Sequence, residues 1–276
     1  MTFMVVLVTL LIERFFDWSH LRKWGWYGAC EQMVVQKIPG ASPYWVLAGS
    51  VIPLLIILGV MQYLFATFIY GFPWLGFQIA VILYCYGPHN LWADAFASIN
   101  ALTKEGKEAA SAKIRAAFNV SEASNTQSLQ TELLNQIFMA SNRRVFAVVF
   151  WYAVLGLPGA LFYRLINVSI TAAAGSKMNT AARVIATVLD WVPVRVLTAI
   201  YALAGNFTLV FHCWRQRVSQ GLDGNDVMLT ECGLAAITAD SEKVTEAGVM
   251  ERNAVSLIDR VFIIVLVVAG ALVLAF

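Results

Sequence analysis

One long stretch without charged residues constrains the fold of this chain more than any other feature. Between Lys37 and Asp94 the sequence contains no Lys, Arg, Asp or Glu. A helix needs about 20 consecutive apolar residues to cross a lipid bilayer, so this stretch has room for two crossings. We place them near 44–64 and 72–88. The turn between them is predicted at Gly71-Phe72-Pro73, because glycine beside proline favours a chain reversal.

The composition supports a membrane location. Of the 276 residues, 59% are hydrophobic and only 13% are charged, whereas charged residues make up about 25% of a typical soluble domain. Three further spans are predicted near 145–166, 196–214 and 258–276. The sequence therefore predicts an all-α, polytopic integral membrane protein with about five transmembrane helices and a lipid bilayer as its surroundings. The net charge of +2 and the lack of basic runs indicate no nucleic-acid partner.

The alternation of apolar and polar stretches divides the chain into four segments. They are an N-terminal segment of hydrophobic and interfacial helices with two spans (1–88), a cytoplasmic helical hairpin (89–143), a membrane core (144–214), and a polar loop with a C-terminal span (215–276). Within the first segment, residues 1–12 are too short to cross alone and predict a partly inserted or core-packed helix. The hairpin helices are predicted at 91–102 and 109–118, with a turn at 104–107 and a polar segment at 121–128.

The distribution of basic residues predicts the orientation in the membrane. With five spans, one side receives fourteen Lys and Arg from 1–43, 89–144 and 215–257, and the other side receives three. Because loops rich in Lys and Arg stay in the cytoplasm, the N-terminus is predicted to be cytoplasmic. Two points stay open at this stage: the side on which the 168–195 loop lies, and whether 182–214 crosses once or twice.

Two charges interrupt an apolar stretch near the predicted fourth span. Asp190 and Arg195 lie on either side of Pro193. Ionisable groups in a membrane helix are unfavourable and often functional, so the two could form a buried ion pair or bind the polar end of a ligand. The alternative is that both lie in the headgroup layer, where Asp190 and Pro193 begin a helix.

Other basic and polar residues flank the third span. Arg164 could extend to the membrane surface or bind a phosphate or carboxylate, and Arg143 could anchor a cytoplasmic loop or bind phosphate. No catalytic residue is assigned. The predicted ligand-binding residues are Arg164, Asn167, Asp190, Arg195, Arg143 and Tyr163, and their predicted ligand is an anionic small molecule. A homo-oligomer is a further open alternative.

The sequence signals no metal site. The cysteines are far apart in sequence, form no CxxC pair, and are interpreted as free thiols: Cys30, Cys85, Cys213 and Cys232. The histidines show no ligand spacing: His20, His89 and His212. The acidic residues of the last polar region could hold a metal–nucleotide complex or form a solvated loop face: Glu231, Asp240, Glu242, Glu246 and Glu251.

Two motifs resemble known membrane proteins. The third span resembles the family of the cobalamin-pathway synthases CobD and CbiB, through Phe150-Trp151-Tyr152, Gly156, Pro158-Gly159-Ala160, Tyr163-Arg164 and Asn167. The later residues are closer to the AmpE family, through Leu189-Asp190-Trp191-Val192-Pro193-Val194-Arg195, Tyr201-Ala202-Leu203 and Gly205-Asn206-Phe207. The resemblance extends over most of the chain, and its specific residues are concentrated in 140–210.

The AmpE resemblance implies a multi-pass signalling modulator of the bacterial inner membrane, linked to β-lactamase induction, the antibiotic response and cell-wall recycling.

The synthases use ATP, so the other resemblance implies an alternative: a membrane enzyme that forms an amide or phosphate linkage on a small metabolite. Its cofactors would be ATP and magnesium, held by clustered carboxylates such as Glu132, Asp190 and Glu231. The chain departs from the synthases where they carry acidic residues, since it reads Ser141-Asn142-Arg143-Arg144 and Val168-Ser169-Ile170. Cofactor and enzymatic activity are therefore left unassigned.

Overall fold

The structure is a computed structural model that describes residues 2–38, 40–66, 72–104, 107–118, 126–172, 177–238 and 248–275. Within these residues the regular structure is helical and contains no strand. The helices are α1 (Thr2–Phe15), α2 (Gly25–Lys37), α3 (Pro43–Ala66), α4 (Phe72–Cys85), α5 (Leu91–Lys104), α6 (Lys107–Phe118), α7 (Thr126–Ser141), α8 (Ala147–Ala172), α9 (Lys177–Ala204), α10 (Phe207–Arg217), α11 (Asn225–Ile237) and α12 (Val249–Ala275). A π-helical turn, Asn142–Phe146, joins α7 to α8.

The chain forms two compact units. The first contains residues 1–88 and 147–190, and the second contains residues 89–146 and 191–276. The division falls inside α9, between Asp190 and Trp191. The four-segment division made from the sequence stays a prediction.

The first unit packs around α8. Helices α2, α3 and α4 all lie against α8, and α1 lies against α4. A buried apolar cluster joins Tyr27 of α2 and Val51 of α3 to Leu165 and Ile166 of α8. Because lipid tails are as apolar as these side chains, the cluster stabilises the unit through van der Waals packing between the helices.

The second unit packs around α7. Helices α5, α6, α11 and α12 lie against α7, and α10 lies against α11. Leu133, Ile137 and Phe138 of α7 are buried. A Cβ atom added at Gly233 of α11 would lie 2.8 Å from the ring of Phe138. Only glycine lets α11 approach α7 this closely.

Among the described residues, four helical stretches have the length and apolar composition of membrane spans. They are Pro43–Phe65, Leu129–Ala172, Met178–Ala204 and Val249–Ala271. Together with the all-helical fold, they confirm that the chain is a polytopic membrane protein. The second predicted span corresponds to a shorter apolar helix, Pro73–Cys85. At 1.5 Å per residue its 13 residues extend over roughly 20 Å, less than the hydrocarbon core of a typical bilayer.

The Leu-Gly-Leu-Pro-Gly sequence at 155–159 predicts either a kink in the third span or the close approach of a neighbouring helix, and the structure has the kink. Gly156 has φ 70° and ψ −159°, outside the helical region, and Pro158 follows it. Glycine adopts a positive φ without steric cost, and proline removes a backbone donor. The kink prediction at 155–159 is therefore confirmed.

The predicted fourth span, 196–214, is wrong in its position. The structure has one helix from Lys177 to Ala204, and Pro193 lies inside it. Proline leaves the carbonyl of Leu189 without its usual partner four residues later, and the Trp151 Nε1 donates to this oxygen at 3.3 Å. The helix therefore continues past the proline instead of beginning there.

Helix α9 ends at Ala204, in the middle of the predicted span 196–214. Asn206 is the N-cap of α10, and its side chain accepts a hydrogen bond from the Leu209 N–H at 3.1 Å. The Asn206 N–H donates to the Ala236 carbonyl at 3.2 Å. With this cap, α10 is a separate helix of 11 residues.

Several other predictions have a clear outcome. The N-terminal helix and both hairpin helices are present as α1, α5 and α6. The predicted turn residue Gly71, the turn residues Glu105 and Gly106, and the polar residues 121–125 lie outside the described residues. The same holds for Asp240, Glu242 and Glu246 of the acidic group.

Candidate functional site

A buried hydrogen bond joins α8 to α9 in the first unit. The Tyr163 hydroxyl donates to Asp190 Oδ1 at 2.7 Å. Tyr163 is fully buried and Asp190 is 5% exposed, and both residues lie in stretches apolar enough to cross a membrane. A carboxylate in such a position is unfavourable unless the protein provides partners for it. The placement makes Asp190 the strongest functional candidate among the predicted residues.

Arg164 is buried next to an aromatic group. Its guanidinium carbon lies 5.6 Å from the ring centroid of Trp24, and the residue is 6% exposed. Trp24 lies 4.4 Å from the ring of Tyr84 and 5.9 Å from that of Trp26. A guanidinium over an aromatic face gains electrostatic attraction from the ring. Arg164 is thus held inside the protein.

Asn167 bonds to its own helix. Its Nδ2 donates to the Tyr163 carbonyl at 3.0 Å, one turn earlier in α8. The Nδ2 group carries a second hydrogen, and this donor is the part of the amide that suits an anionic ligand.

Arg195 holds a loop of the second unit in place through hydrogen bonds. Its guanidinium donates to the carbonyls of Val218 (2.9 Å) and Gln220 (2.6 Å) and to Asn225 Oδ1 (3.2 Å). It also lies 3.9 Å from the ring centroid of Trp191 and donates to that residue's carbonyl at 2.9 Å. These contacts tie α9 to the segment between α10 and α11.

Arg143 is a half-exposed ion-pair partner. Its Nη2 lies 2.7 Å from Asp226 Oδ1 and 2.9 Å from Oδ2. The neighbouring Arg144 pairs with Asp94 at 2.7 Å and donates to the Ala117 carbonyl at 2.6 Å. Both arginines therefore join helices within the second unit.

The predicted site residues are distributed over the two units. Tyr163, Arg164, Asn167 and Asp190 belong to the first unit, while Arg143 and Arg195 belong to the second. A single ligand site made from all six residues stays a prediction.

A buried polar cluster in the first unit was missed by the sequence analysis. Ser169 donates to Glu31 Oε1 at 2.5 Å, and the Tyr27 hydroxyl lies 3.1 Å from Ser50 Oγ and 3.3 Å from Ser169 Oγ. All four residues are buried. The available signal was the i, i+4 spacing of Tyr27 and Glu31, which places them on one face of α2.

Burial controls the titration of this cluster. Removal from water raises the pKa of Glu31 above its ordinary value, although hydrogen bonds from Ser169 and Tyr27 act in the opposite direction. Burial likewise raises the pKa of Tyr27 to about 12. The neutral acid is thus favoured more at Glu31 than at an exposed glutamate.

A second missed feature is a buried ion pair at the N-terminal end of the first unit. Arg22 pairs with Glu13 through both guanidinium Nη atoms, and Nη1 also donates to the Gly87 carbonyl at 3.0 Å. The two side chains are 2% and 1% exposed. The pair has an architectural role, because it joins the end of α1 to the segment that follows α4.

The carboxylates required for the enzyme alternative have local partners. Glu132 accepts from Gln136 Nε2 at 2.8 Å, and Glu231 accepts from Arg217 Nη2 at 2.6 Å. Among the described residues, no group of three or more His, Cys, Asp or Glu side chains is arranged to hold a metal ion.

Together these observations define a multi-pass, all-α membrane protein with ionisable groups buried in its apolar helices. The chain belongs to the AmpE family: the family model described as "Regulatory signalling modulator protein AmpE" matches residues 1–275. The protein is accordingly a membrane signalling modulator by family, as its AmpE-like motifs indicated.

Two curated relatives share part of the chain. The cobalamin biosynthesis protein CobD of Stutzerimonas stutzeri (strain A1501) is 38% identical over 77 residues, which cover 26% of this chain and 25% of the relative. The CobD protein of Chromobacterium violaceum is 32% identical over 99 residues, or 34% of this chain and 31% of the relative. The matches thus cover a third or less of these relatives' length. No solved structure matches the chain significantly.

Proposed function

We propose that this protein modulates β-lactamase induction from the bacterial inner membrane by responding to an anionic small molecule derived from cell-wall recycling. The membership in the AmpE family over residues 1–275 supports the signalling part of this proposal. The ligand, its class and the inner-membrane location are our inferences. The ligand is proposed to bind as a free molecule, without ATP or magnesium.

The single observation that carries the ligand proposal is the burial of charge in apolar helices. Arg164 is 6% exposed and Asp190 is 5% exposed, in stretches that are otherwise long and apolar enough to cross a membrane. An ionisable residue in a membrane helix is a functional candidate by default, because lipid solvates charge poorly. A buried guanidinium is also well suited to a carboxylate or phosphate, which it binds through two parallel hydrogen bonds.

Ligand binding at Arg164 would change how α8 packs. The guanidinium now lies over Trp24, at the start of α2, and the neighbouring Tyr163 donates to Asp190 of α9. An anion that draws the guanidinium from the Trp24 ring weakens the contact between α2 and α8. A ligand shifts such an equilibrium only by its difference in affinity for the two packings. We propose that this shift in helix packing is the signal.

The first test is a complementation experiment in a bacterium whose own copy of the gene is deleted. Asp190→Asn keeps the shape of the side chain and removes its charge, and Tyr163→Phe removes the donor. Both are expected to abolish the effect on β-lactamase induction while the protein remains in the membrane fraction at its normal amount. Arg195→Ala is expected to do the same. Arg183→Ala is the matched control, since Arg183 is exposed on the same helix α9.

Unchanged induction in both Asp190→Asn and Arg195→Ala, at normal protein amounts, would remove this site from consideration. Because Arg195 also holds the segment between α10 and α11, a loss seen only in Arg195→Ala would indicate damage to that loop. The result for Tyr163→Phe then decides whether the proposed site is needed for induction, since this substitution removes only one hydroxyl, in the first unit.

A titration of detergent-purified protein separates the signalling proposal from the enzyme alternative. ATP with magnesium is expected to leave the thermal midpoint unchanged, whereas an anionic cell-wall fragment is expected to raise it in the wild type and not in Asp190→Asn. A nucleotide-dependent rise that Asp190→Asn abolishes would instead support the ATP-dependent enzyme.

A further inference from the structure

Two thiols meet between helices α10 and α11 of the second unit. Cys213 Sγ and Cys232 Sγ are 2.8 Å apart, although 18 residues separate them in the sequence. Both are reduced in this structure. The length of a disulfide bond is about 2.05 Å, so a movement of under about 1 Å would bring the sulfur atoms to bonding distance.

Other contacts hold α10 against α11 on both sides of the thiols. On one side, the Asn206 N–H donates to the Ala236 carbonyl at 3.2 Å. On the other side, the Arg217 guanidinium pairs with Glu231. The two helices therefore run antiparallel with the cysteines between these two contacts. The short distance between the sulfur atoms follows from this packing.

The packing is also tight at the end of the pair that lies near Gly205. A Cβ atom added there would lie 2.6 Å from the Ala236 carbonyl oxygen. Such close approach leaves α10 little freedom to rotate away from α11. The thiols consequently stay near each other in the folded protein.

The two thiols differ in accessibility. Cys213 is partly exposed, whereas Cys232 is fully buried. Burial raises the pKa of the Cys232 thiol, and the nearby Cys213 and Glu231 act in the same direction. A dissolved reagent therefore reaches Cys213 first, and Cys232 reacts afterwards from within the protein.

We propose that Cys213 and Cys232 form a redox modification site, which a low-molecular-weight disulfide such as oxidised glutathione converts into an intramolecular disulfide. The Cys213 thiolate attacks one sulfur of the reagent, a mixed disulfide forms, and the first glutathione leaves as a thiolate that takes up a proton. Cys232 then loses its proton and attacks Sγ of Cys213, which releases the second glutathione. Two protein thiols are oxidised and one glutathione disulfide is reduced to two thiols.

The cross-link closes a ring of chain that contains the loop held by Arg195. Val218 and Gln220, whose carbonyls accept from Arg195, both lie between the two cysteines. Oxidation thus restrains the segment between α10 and α11, to which Arg195 forms hydrogen bonds. A disulfide limits the conformations of the unfolded chain, so the oxidised protein is expected to unfold at a higher temperature than the reduced protein.

The decisive experiment maps thiols in the purified full-length protein. The protein in detergent is equilibrated with glutathione buffers of increasing oxidised fraction, quenched with acid, denatured and alkylated. We expect two of the four thiols to become unreactive together, and a peptide linked through Cys213 and Cys232 to appear in the mass spectrum. Dithiothreitol is expected to restore both thiols and to lower the thermal midpoint again.

Single substitutions test the order of the two steps. Cys232→Ser is expected to trap a glutathione adduct on Cys213, whereas Cys213→Ser is expected to leave Cys232 unmodified. Cys30→Ser is the matched control and should form the internal disulfide as the wild type does. The wild-type peptide map remains decisive if a cysteine variant fails to fold.

Four free thiols at every glutathione ratio would overturn the proposal. So would a disulfide that links two molecules, or one that includes Cys30 or Cys85. None of these measurements uses a signalling assay, so their failure would leave the proposed ligand site untouched.

Discussion

At the scale of single residues, the pair of Arg22 and Glu13 shows how this protein keeps full charges away from solvent. Both side chains are almost completely buried and bond to each other, and Arg22 also bonds to the Gly87 carbonyl. A buried ion pair gains attraction in the low-dielectric interior but loses the hydration of two ions. The pair is thus stable only while both partners are present.

Removing one partner is therefore expected to be strongly destabilising. Glu13→Gln or Arg22→Gln alone should lower the free energy of unfolding by about 3–5 kcal/mol, because each leaves an uncompensated buried charge. Unfolding of the purified protein in detergent micelles by denaturant measures this change. The double variant Glu13→Leu with Arg22→Met should recover most of the loss.

Lys23 provides the matched control for this prediction. It is exposed beside Arg22 in the sequence, so Lys23→Gln should leave the unfolding free energy within about 0.5 kcal/mol of the wild type. Single variants of Glu13 and Arg22 that are as stable as Lys23→Gln would show that the pair contributes little.

At the scale of single helices, the kink in α8 has a clear steric basis. Gly156 has a positive φ, and a Cβ atom at Gly159 would lie 2.5 Å from Leu155 Cβ and 2.6 Å from the Trp151 carbonyl oxygen. The kinked chain thus approaches itself where only a hydrogen atom fits. The helix bends here because of glycine, while Pro158 removes a competing hydrogen bond.

Alanine at either glycine is expected to destabilise the protein. Gly156→Ala should cost about 1–3 kcal/mol, because φ 70° with ψ −159° is a backbone conformation that essentially only glycine adopts. Gly159→Ala should cost more, since its contacts involve backbone as well as side chain. The thermal midpoint of a fluorescent fusion in detergent, followed by size-exclusion chromatography, reports both effects.

Gly59 of α3 serves as the comparison, because a Cβ atom there would meet nothing within 4 Å. Gly59→Ala should keep or raise the thermal midpoint, since alanine favours a helix by up to about 1 kcal/mol over glycine. Equal midpoints for all three variants would contradict the steric explanation of the kink.

At the scale of the whole molecule, the orientation in the membrane stays a prediction from the excess of basic residues on one side, which is fourteen against three when the fourth span is placed at 196–214. The position of α4 is central to it, because α4 is shorter than the four long candidate spans. If α4 crosses the membrane, the N-terminal region and the α5–α6 hairpin lie on the same side. If it does not, they lie on opposite sides.

Labelling of single cysteines in intact cells tests this orientation. Lys37→Cys, Ala112→Cys and Thr180→Cys would be made after replacing the four natural cysteines with serine; all three positions are exposed. An impermeant maleimide is expected to label only Thr180→Cys, because the basic loops are predicted to be cytoplasmic. The other two should react only after permeabilisation. Labelling of Ala112→Cys but not Lys37→Cys would instead show that α4 does not cross.

The sequence alone determined the features that depend on local chemistry. The length of the charge-free stretch predicted a span at 44–64, and the structure has a candidate span at Pro43–Phe65. The glycines and the proline of α8 predicted its kink, and the apolar pattern at 91–102 and 109–118 predicted α5 and α6. These features could be predicted because apolar length, helix propensity and backbone freedom are properties of neighbouring residues. The same reasoning selected Asp190 and Arg164 as unusual charges in apolar segments, and both are buried.

Only the tertiary structure decided which distant groups meet. Pro193 lies inside α9, where the Trp151 indole donates to the Leu189 carbonyl that a proline leaves free. The sequence therefore misplaced the fourth span at 196–214. The bonds of Arg195 to the segment after α10, and of Ser169 to Glu31, likewise join residues far apart in the chain. Their partners depend on how whole helices pack, and no local sequence pattern specifies that packing. A buried polar group forms a hydrogen bond with any suitable partner that the packing brings within about 3 Å.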